Sequence, residues 1–339
     1  MNKSSAITCA PSSNHFAWLD WMKVLALFSV IWGHFFSLGY QYHYVFNLQA
    51  FCVVSGFLYR QAPDWRSCLE KNIRQLLLPT VALSLLMQLE AVVRCWLMGT
   101  TYAVSWPWYF EYLLVGHRWC MGPCWFFYTL FIIRLFMQLM PRKWWLSVVL
   151  IIASAAGAIA INYQGMEFSN AWVNVLVCLP PFLIGQLLQP LKPWLANFRH
   201  TLWEIVLFVV AVALVWLCAR YNGEVWMYLC GYGNNFILFL VGTLAGTTML
   251  YVLSLWLSRL HGISVIKMLA RGSILVVGLH IIVVRRLTEL PNRLWQEDFL
   301  FSLLILMSFY PLVLLSQRYF PWLMGQKKNA NNILPTKND

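Results

Sequence analysis

The chain reads as an all-α, polytopic transmembrane helix bundle of about 10 helices, with N- and C-termini cytoplasmic. Three observations lead there. Of its 339 residues, 60% are hydrophobic and only 11% charged, with a mean hydropathy of +0.64, whereas a soluble domain carries about 25% charged residues. The apolar residues fall in long runs, and crossing a hydrocarbon core takes about 20 residues of helix, fewer where the span is shortened. Many of the 19 Trp lie near the ends of those runs, where amphipathic rings anchor at the lipid–water interface.

Ten spans are expected, at 18–38, 45–59, 76–97, 124–140, 144–161, 172–188, 202–219, 235–257, 273–290 and 299–317. The second is short. The ninth contains Arg285 and Arg286, yet its apolar core, SILVVGLHIIVV, leaves little else for it to be. Pro79, Pro180, Pro181 and Pro311 kink or start helices rather than end them, because neighbouring helices satisfy freed backbone groups. The aromatic-rich segment 98–123 is long enough to fold back onto the bundle. Three stretches result: an N-terminal segment 1–17 with no cleavable signal pattern, a transmembrane unit 18–317, and a polar tail 318–339 whose composition predicts disorder.

Charge bias orients the bundle. Placing the N-terminus inside puts sixteen of the 24 Lys and Arg on the cytoplasmic side and six outside, with Lys23 and Arg134 in or near spans. That asymmetry predicts an even number of helices with both ends inside. It also accounts for the net charge of +12. The basic residues are scattered among apolar segments, so no compact surface exists for a nucleic acid, which is excluded as a partner. Cys120 and Cys124 form a C-x3-C pair with no second pair or nearby His, so small apolar packing is the reading and no metal is expected. No interrupted helices recur at matching places in two halves, which argues against a secondary transporter.

Ionisable groups inside spans mark where function lies. Lys23 and His34 are 11 positions apart, hence about 16 Å along a helix and about 20° from one line. Asp20 precedes Lys23 by three and shares that broad face. His34 suits a general base, since an imidazole takes up a proton near neutral pH; a histidine hydrogen-bonded between helices is the equal alternative. Asp20 and Lys23 also read as interfacial residues that snorkel to headgroups. His280 is a second intramembrane imidazole, suited to contacting substrate or to a structural hydrogen bond. Glu90 and Arg94 are spaced for an i,i+4 pair. Arg134 near a cytoplasmic end meets an anionic ligand or snorkels, and Ser55 adds a polar group to the short second span. In the loop before the third span, Arg66, Lys71 and Arg74 offer a field to phosphates or simply set topology.

Taken together, the residues Leu19-Asp20-Trp21-Met22-Lys23 through Gly33-His34 resemble the opening helix of the membrane acyltransferase 3 family, in which an Asp is followed three later by Arg and then by His. Here Lys23 holds the Arg place, keeping the cation but not the bidentate fork. Phe51 through Leu58, with Ser55-Gly56, is similar to the family's Ser-Gly turn. Lys71, Arg74 and Pro79 match its basic stretch, Trp125-Phe126 its fourth helix, and Ser273 with His280 its late helix. The resemblance covers about 18–317. It implies a compact inner-membrane O-acyltransferase of the stand-alone type in a bacterial envelope. The donor it implies is acetyl-CoA, the acceptor a glycan or glycolipid, and the base His34. Asp20 and Lys23 would support that base, and Arg66, Lys71, Arg74 and Arg134 would meet the donor. Ser55, Trp125 and His280 would be substrate-binding or structural. The alternative is a transporter or flippase for a glycan or polar lipid.

Overall fold

The computed structural model describes residues 16–36, 39–101, 106–164, 169–260, 264–288 and 295–326. Among these no strand occurs, and the helices run in order α1 (Ala17–Gly33), α2 (Tyr40–Tyr44), α3 (Asn47–Leu58), α4 (Trp65–Asn72), a π-helical turn (Ile73–Leu77), α5 (Leu78–Leu97), α6 (Trp106–Val115), α7 (Arg118–Met121) and α8 (Trp125–Leu139). They continue as α9 (Trp144–Tyr163), α10 (Val175–Leu187), α11 (Lys192–Asn197), α12 (Thr201–Tyr221), α13 (Phe236–Ser258), α14 (Ser264–Arg271), α15 (Ser273–Thr288) and α16 (Trp295–Tyr319). Most of the N-terminal segment, and the tail from 327 onward, lie outside the described residues.

Each of the ten expected spans contains a helix, but they are not ten equal crossings. Seven helical stretches of the described residues are long and apolar enough to span, and an eighth arises if α14 and α15 are one broken span. The difference lies at the start of the chain. α1 has 17 residues and α3 only 12, short of the ~20 needed for an upright crossing. Both are wrapped by other helices: α1 packs against α3, α13, α14, α15 and α16. Most residues of α3 are buried, as expected of a helix that is apolar all round and sits inside a bundle. The lipid-facing role falls to α9 and α12, which bury least and expose Val149, Ile152, Val209 and Trp216.

Three local features place the site. The α3–α10 crossing is backbone-close because both partners carry glycine there. A Cβ on Gly56 would stand 1.8 Å from the Phe182 carbonyl oxygen, and one on Gly185 would stand 2.0 Å from that of Val53, the small-residue contact by which buried helices approach. The α4–α5 helix runs unbroken from Trp65 to Leu97 through its π turn. Pro79 has no N–H for the carbonyl of Gln75, and the wider turn just before it absorbs the missing bond. Finally α14 and α15 meet at 83° across Gly272, where a Cβ would stand 2.3 Å from a Val313 methyl. That bend sets Arg271 at the head of α15.

The described part of segment 98–123 does return to the bundle: the Tyr128 hydroxyl of α8 donates to the Leu114 carbonyl of α6 at 2.9 Å, and α7 packs against α5. α12 and α13 are joined by an ion pair in which both oxygens of the fully buried Glu204 accept from Arg259 at 2.7 Å, while Trp256 Nε1 donates to Oε2 at 2.8 Å.

Candidate active site

Two cavities are stacked along the bundle. The lower one, about 320 Å³, is walled by Lys23 of α1, Ser55 of α3, Gln75, Phe126, Arg134 of α8, and Arg271, Ser273 and Ile274 at the α14–α15 bend. A side cavity of about 170 Å³ opens beside it, lined by Arg60, Lys71, Asn72 and Gln75, and shares Arg134 with it. The upper one, about 590 Å³, is walled by His34, Tyr44, Asn47, Arg118, Trp125, Trp226, Tyr228, Val277, Ile281 and Arg285. Adjacent residues of α8, Trp125 and Phe126, look into the two spaces. On α15, Ile274 and Val277 do the same, about 4.5 Å apart along the axis.

α1 carries a polar residue into each. The face computed from the sequence is the one the helix presents: Lys23 lines the lower cavity and His34, at the C-terminal end of α1, the upper. Asp20 and Arg134 are the charged neighbours of Lys23. Arg134 donates from one guanidinium nitrogen to Ser55 Oγ at 3.1 Å, while its buried Nε has no hydrogen-bond partner among the described residues. The neighbouring Gly56 lets α10 close over α3, which seats Ser55 against α8.

The two intramembrane histidines meet. The rings of His34 and His280 lie 5.1 Å apart at 44°. His280 is fully buried on α15, with Nδ1 at 3.1 Å from the Val276 carbonyl and 2.8 Å from that of Val277. Carbonyls only accept, so the ring proton sits on Nδ1, and Nε2 is left with its lone pair and no partner among the described residues. A buried nitrogen in that state costs free energy unless another group comes to meet it. Trp125, also buried, opens α8 as a wall of the upper cavity.

The basic loop residues separate. Lys71 reaches the side cavity. Arg74 sits in the π turn and lines none of the three cavities, and its Nε is buried without a hydrogen-bond partner among the described residues. Arg66 is exposed and pairs with Glu70 at 3.0 Å, lining none of the three cavities. Residues not expected as part of the site also gather there: Tyr44, Arg118, Trp226, Tyr228 and Arg285 in the upper cavity and Arg271 in the lower. Their signal in the sequence is faint, since they come from five separate segments. Among the described residues no group of three His, Cys, Asp or Glu is placed to hold a metal ion.

A helix bundle long and apolar enough to cross a membrane, with paired imidazoles at one of two stacked cavities that carry cations, has the build of an integral membrane enzyme. The model of the family described as "Acyltransferase domain" matches residues 16–318. The chain belongs to that family of membrane acyltransferases. No curated protein and no solved structure matches it.

Proposed function

We propose that the protein moves an acyl group, acetyl in the first instance, from acetyl-CoA to a hydroxyl of a cell-envelope glycan or glycolipid. His34 is its general base. The observation that carries this reading is the His34–His280 pair, with His34 on the wall of the larger cavity. In this reading residues 18–317 form one catalytic unit of about ten helices in a bacterial inner membrane, with both termini cytoplasmic. The lower cavity then opens toward the cytosolic donor.

The lower and side cavities suit a phosphorylated donor. Lys23, Arg134, Arg271 and Lys71 line them, and a guanidinium nitrogen buried without a partner fits a ligand that brings its own acceptor oxygen. Asp20 balances Lys23. Arg66 and Arg74 contribute to the field that gathers the donor. In the transfer, the acceptor oxygen attacks the thioester carbonyl as His34 takes the hydroxyl proton. The C–O bond forms, the C–S bond breaks, and the proton passes to the departing sulfur. Because His280 keeps its own proton on Nδ1, its Nε2 can accept a ring N–H of His34 and hold the other His34 nitrogen ready as base. Ser55 holds Arg134, and Trp125 walls the acceptor side.

The test is release of free coenzyme A by protein purified into lipid, supplied with acetyl-CoA and an envelope-glycan extract. Release that depends on acceptor and is lost in a folded His34→Ala variant is expected. Full activity in that variant removes His34 as base. Absence of release with a broad donor and acceptor panel, together with movement of the glycan across the bilayer, favours a transporter, which consumes no donor.

A further inference from the structure

The upper cavity brings cations and aromatic rings together on its walls. Arg118 and Arg285 line it with His34, and no carboxylate is among its lining residues. The two consecutive arginines of α15 differ in their engagement. Arg286 reaches Glu90 at 3.4 Å, a carboxylate also paired with Arg94 at 3.3 Å. Arg285 turns to the cavity, with no carboxylate partner among the described residues. Arg118 is held by rings instead of by an acid: its guanidinium carbon lies 4.7 Å from the Tyr228 centroid and 5.4 Å from that of Trp119. Stacking of that kind fixes the plane and leaves the edge N–H groups to a ligand.

Next to them stand Tyr44, Trp226 and Tyr228, whose ring centroids are 5.1 Å (Tyr44–Trp226) and 5.6 Å (Trp226–Tyr228) apart. Glu224 beside them is occupied: it accepts from the Tyr40 hydroxyl and, at 2.8 Å, from Trp226 Nε1. The carboxylate therefore fixes the Trp226 ring, and the hydrogen bond to it keeps the Tyr40 hydroxyl protonated above the usual tyrosine range. Aromatic faces offer an apolar platform to the C–H face of a sugar ring. Two guanidinium groups without carboxylate partners among the described residues offer charge-assisted hydrogen bonds to an acid.

We propose that the upper cavity is a subsite for an acidic glycan, whose carboxylate or phosphate is held by Arg118 and Arg285 while a sugar ring packs on Trp226 and Tyr44. Resting on the acyl-transfer reading, this names the class of acceptor. Arg285 lines the same cavity as His34 and is one of its charged neighbours. The acid group is thus held in the space where the acceptor hydroxyl reaches His34.

Binding is measured without donor, by ligand-observed saturation-transfer NMR on the full chain in phosphatidylcholine nanodiscs. The probes are methyl glucuronide, glucose 1-phosphate and methyl glucoside. At low salt, at least one acid is expected to bind about tenfold tighter than the neutral sugar, and rising salt is expected to remove the difference. Arg285→Gln, at an exposed position, and Arg118→Gln are each expected to weaken the preferred acid about tenfold. Preference for glucuronide identifies a uronic acid, and preference for the phosphate a glycosyl phosphate; either upholds the subsite. Equal binding of all three sugars, no binding of either acid, or unchanged acid binding in both folded variants overturns it. Because no donor is present, the two readings fail separately. Acid binding without coenzyme A release sinks the transfer, and release with neutral sugars bound equally well sinks the acidic acceptor.

Discussion

Gly56→Ala adds a single methyl group at the tightest point of the bundle. Its carbon would stand 1.8 Å from the Phe182 carbonyl oxygen, against the 3.4 Å of ordinary contact, so α3 and α10 must part locally by about 1.6 Å. Neither side can yield by a rotamer change, since both are backbone. Overpacking costs about 1–3 kcal/mol, and a backbone-to-backbone clash belongs at the upper end. Gly157→Ala on α9 is the matched control, where the new carbon meets only the tip of Leu176 at 3.1 Å. That change should be neutral or stabilise by up to about 1 kcal/mol, since alanine favours helix. A functional effect follows for Gly56 alone. The parting moves Ser55 away from Arg134, now at 3.1 Å. If Arg134 meets the donor as proposed, its displacement would cost one charge-assisted hydrogen bond, about 1.5–3 kcal/mol, or about tenfold or more in donor affinity. Thermal unfolding in detergent and the KM for acetyl-CoA are the two readouts. A Gly56→Ala protein with an unchanged midpoint and unchanged KM refutes the account of why glycine follows Ser55.

Further expectations follow from the same geometry. His280→Phe keeps a ring in place and removes the free Nε2; kcat should fall about 10²-fold through mispositioning with donor KM unchanged, and full kcat would reduce His280 to packing. Arg259→Ala leaves Glu204 buried without its cation and should destabilise by about 3 kcal/mol, read as a lowered thermal midpoint that Glu204→Gln in the same chain partly restores. At the start of α4, Asp64 accepts from the Ser67 amide at 2.8 Å and hydroxyl at 2.7 Å, which holds its carboxyl below the usual aspartate range. The cap is therefore at full strength above that range and is lost as pH falls through it toward the lower folded value. The exchange protection factor at the first turn of α4, taken relative to the intrinsic rate at each pH, should fall over that window, and a protection factor unchanged across it removes the cap from consideration.

Periodicity carried α1 a long way. Asp20, Lys23 and His34 lie on the stripe that the 100° helical step computes, and that stripe does reach two cavities. The prolines at 180, 181 and 311 lie inside α10 and α16, as intramembrane prolines supported by neighbours do. The limits of local reading show in the loop basics. Arg66, Lys71 and Arg74 look equivalent in the sequence, yet a nearby Glu70 takes the first outward and a π turn ahead of Pro79 separates the other two. The shortness of the second span was legible, and α3 bears it out; that α1 also falls short of an upright crossing was not, because hydropathy measures apolarity and not whether lipid or protein supplies the surroundings. The arginines at 118 and 285 counted only as outer charges. What distinguishes Arg285 from Arg286 is the position of Glu90, 196 residues away in the chain, and no window of sequence contains that relation.

The stacking of the cavities has an electrical consequence. A membrane voltage falls most steeply where water and mobile ions penetrate least. If, as proposed, the lower cavity opens to the donor side and the upper to the acceptor side, that place is the layer between Ile274 and Val277, beside the Trp125–Phe126 step. A charge displaced across the full drop feels about 2.3 kcal/mol per 100 mV. The imidazole pair lies close to this thin layer, so a proton taken up by His34 in the proposed transfer would move in a field far steeper than the thickness of the bilayer suggests.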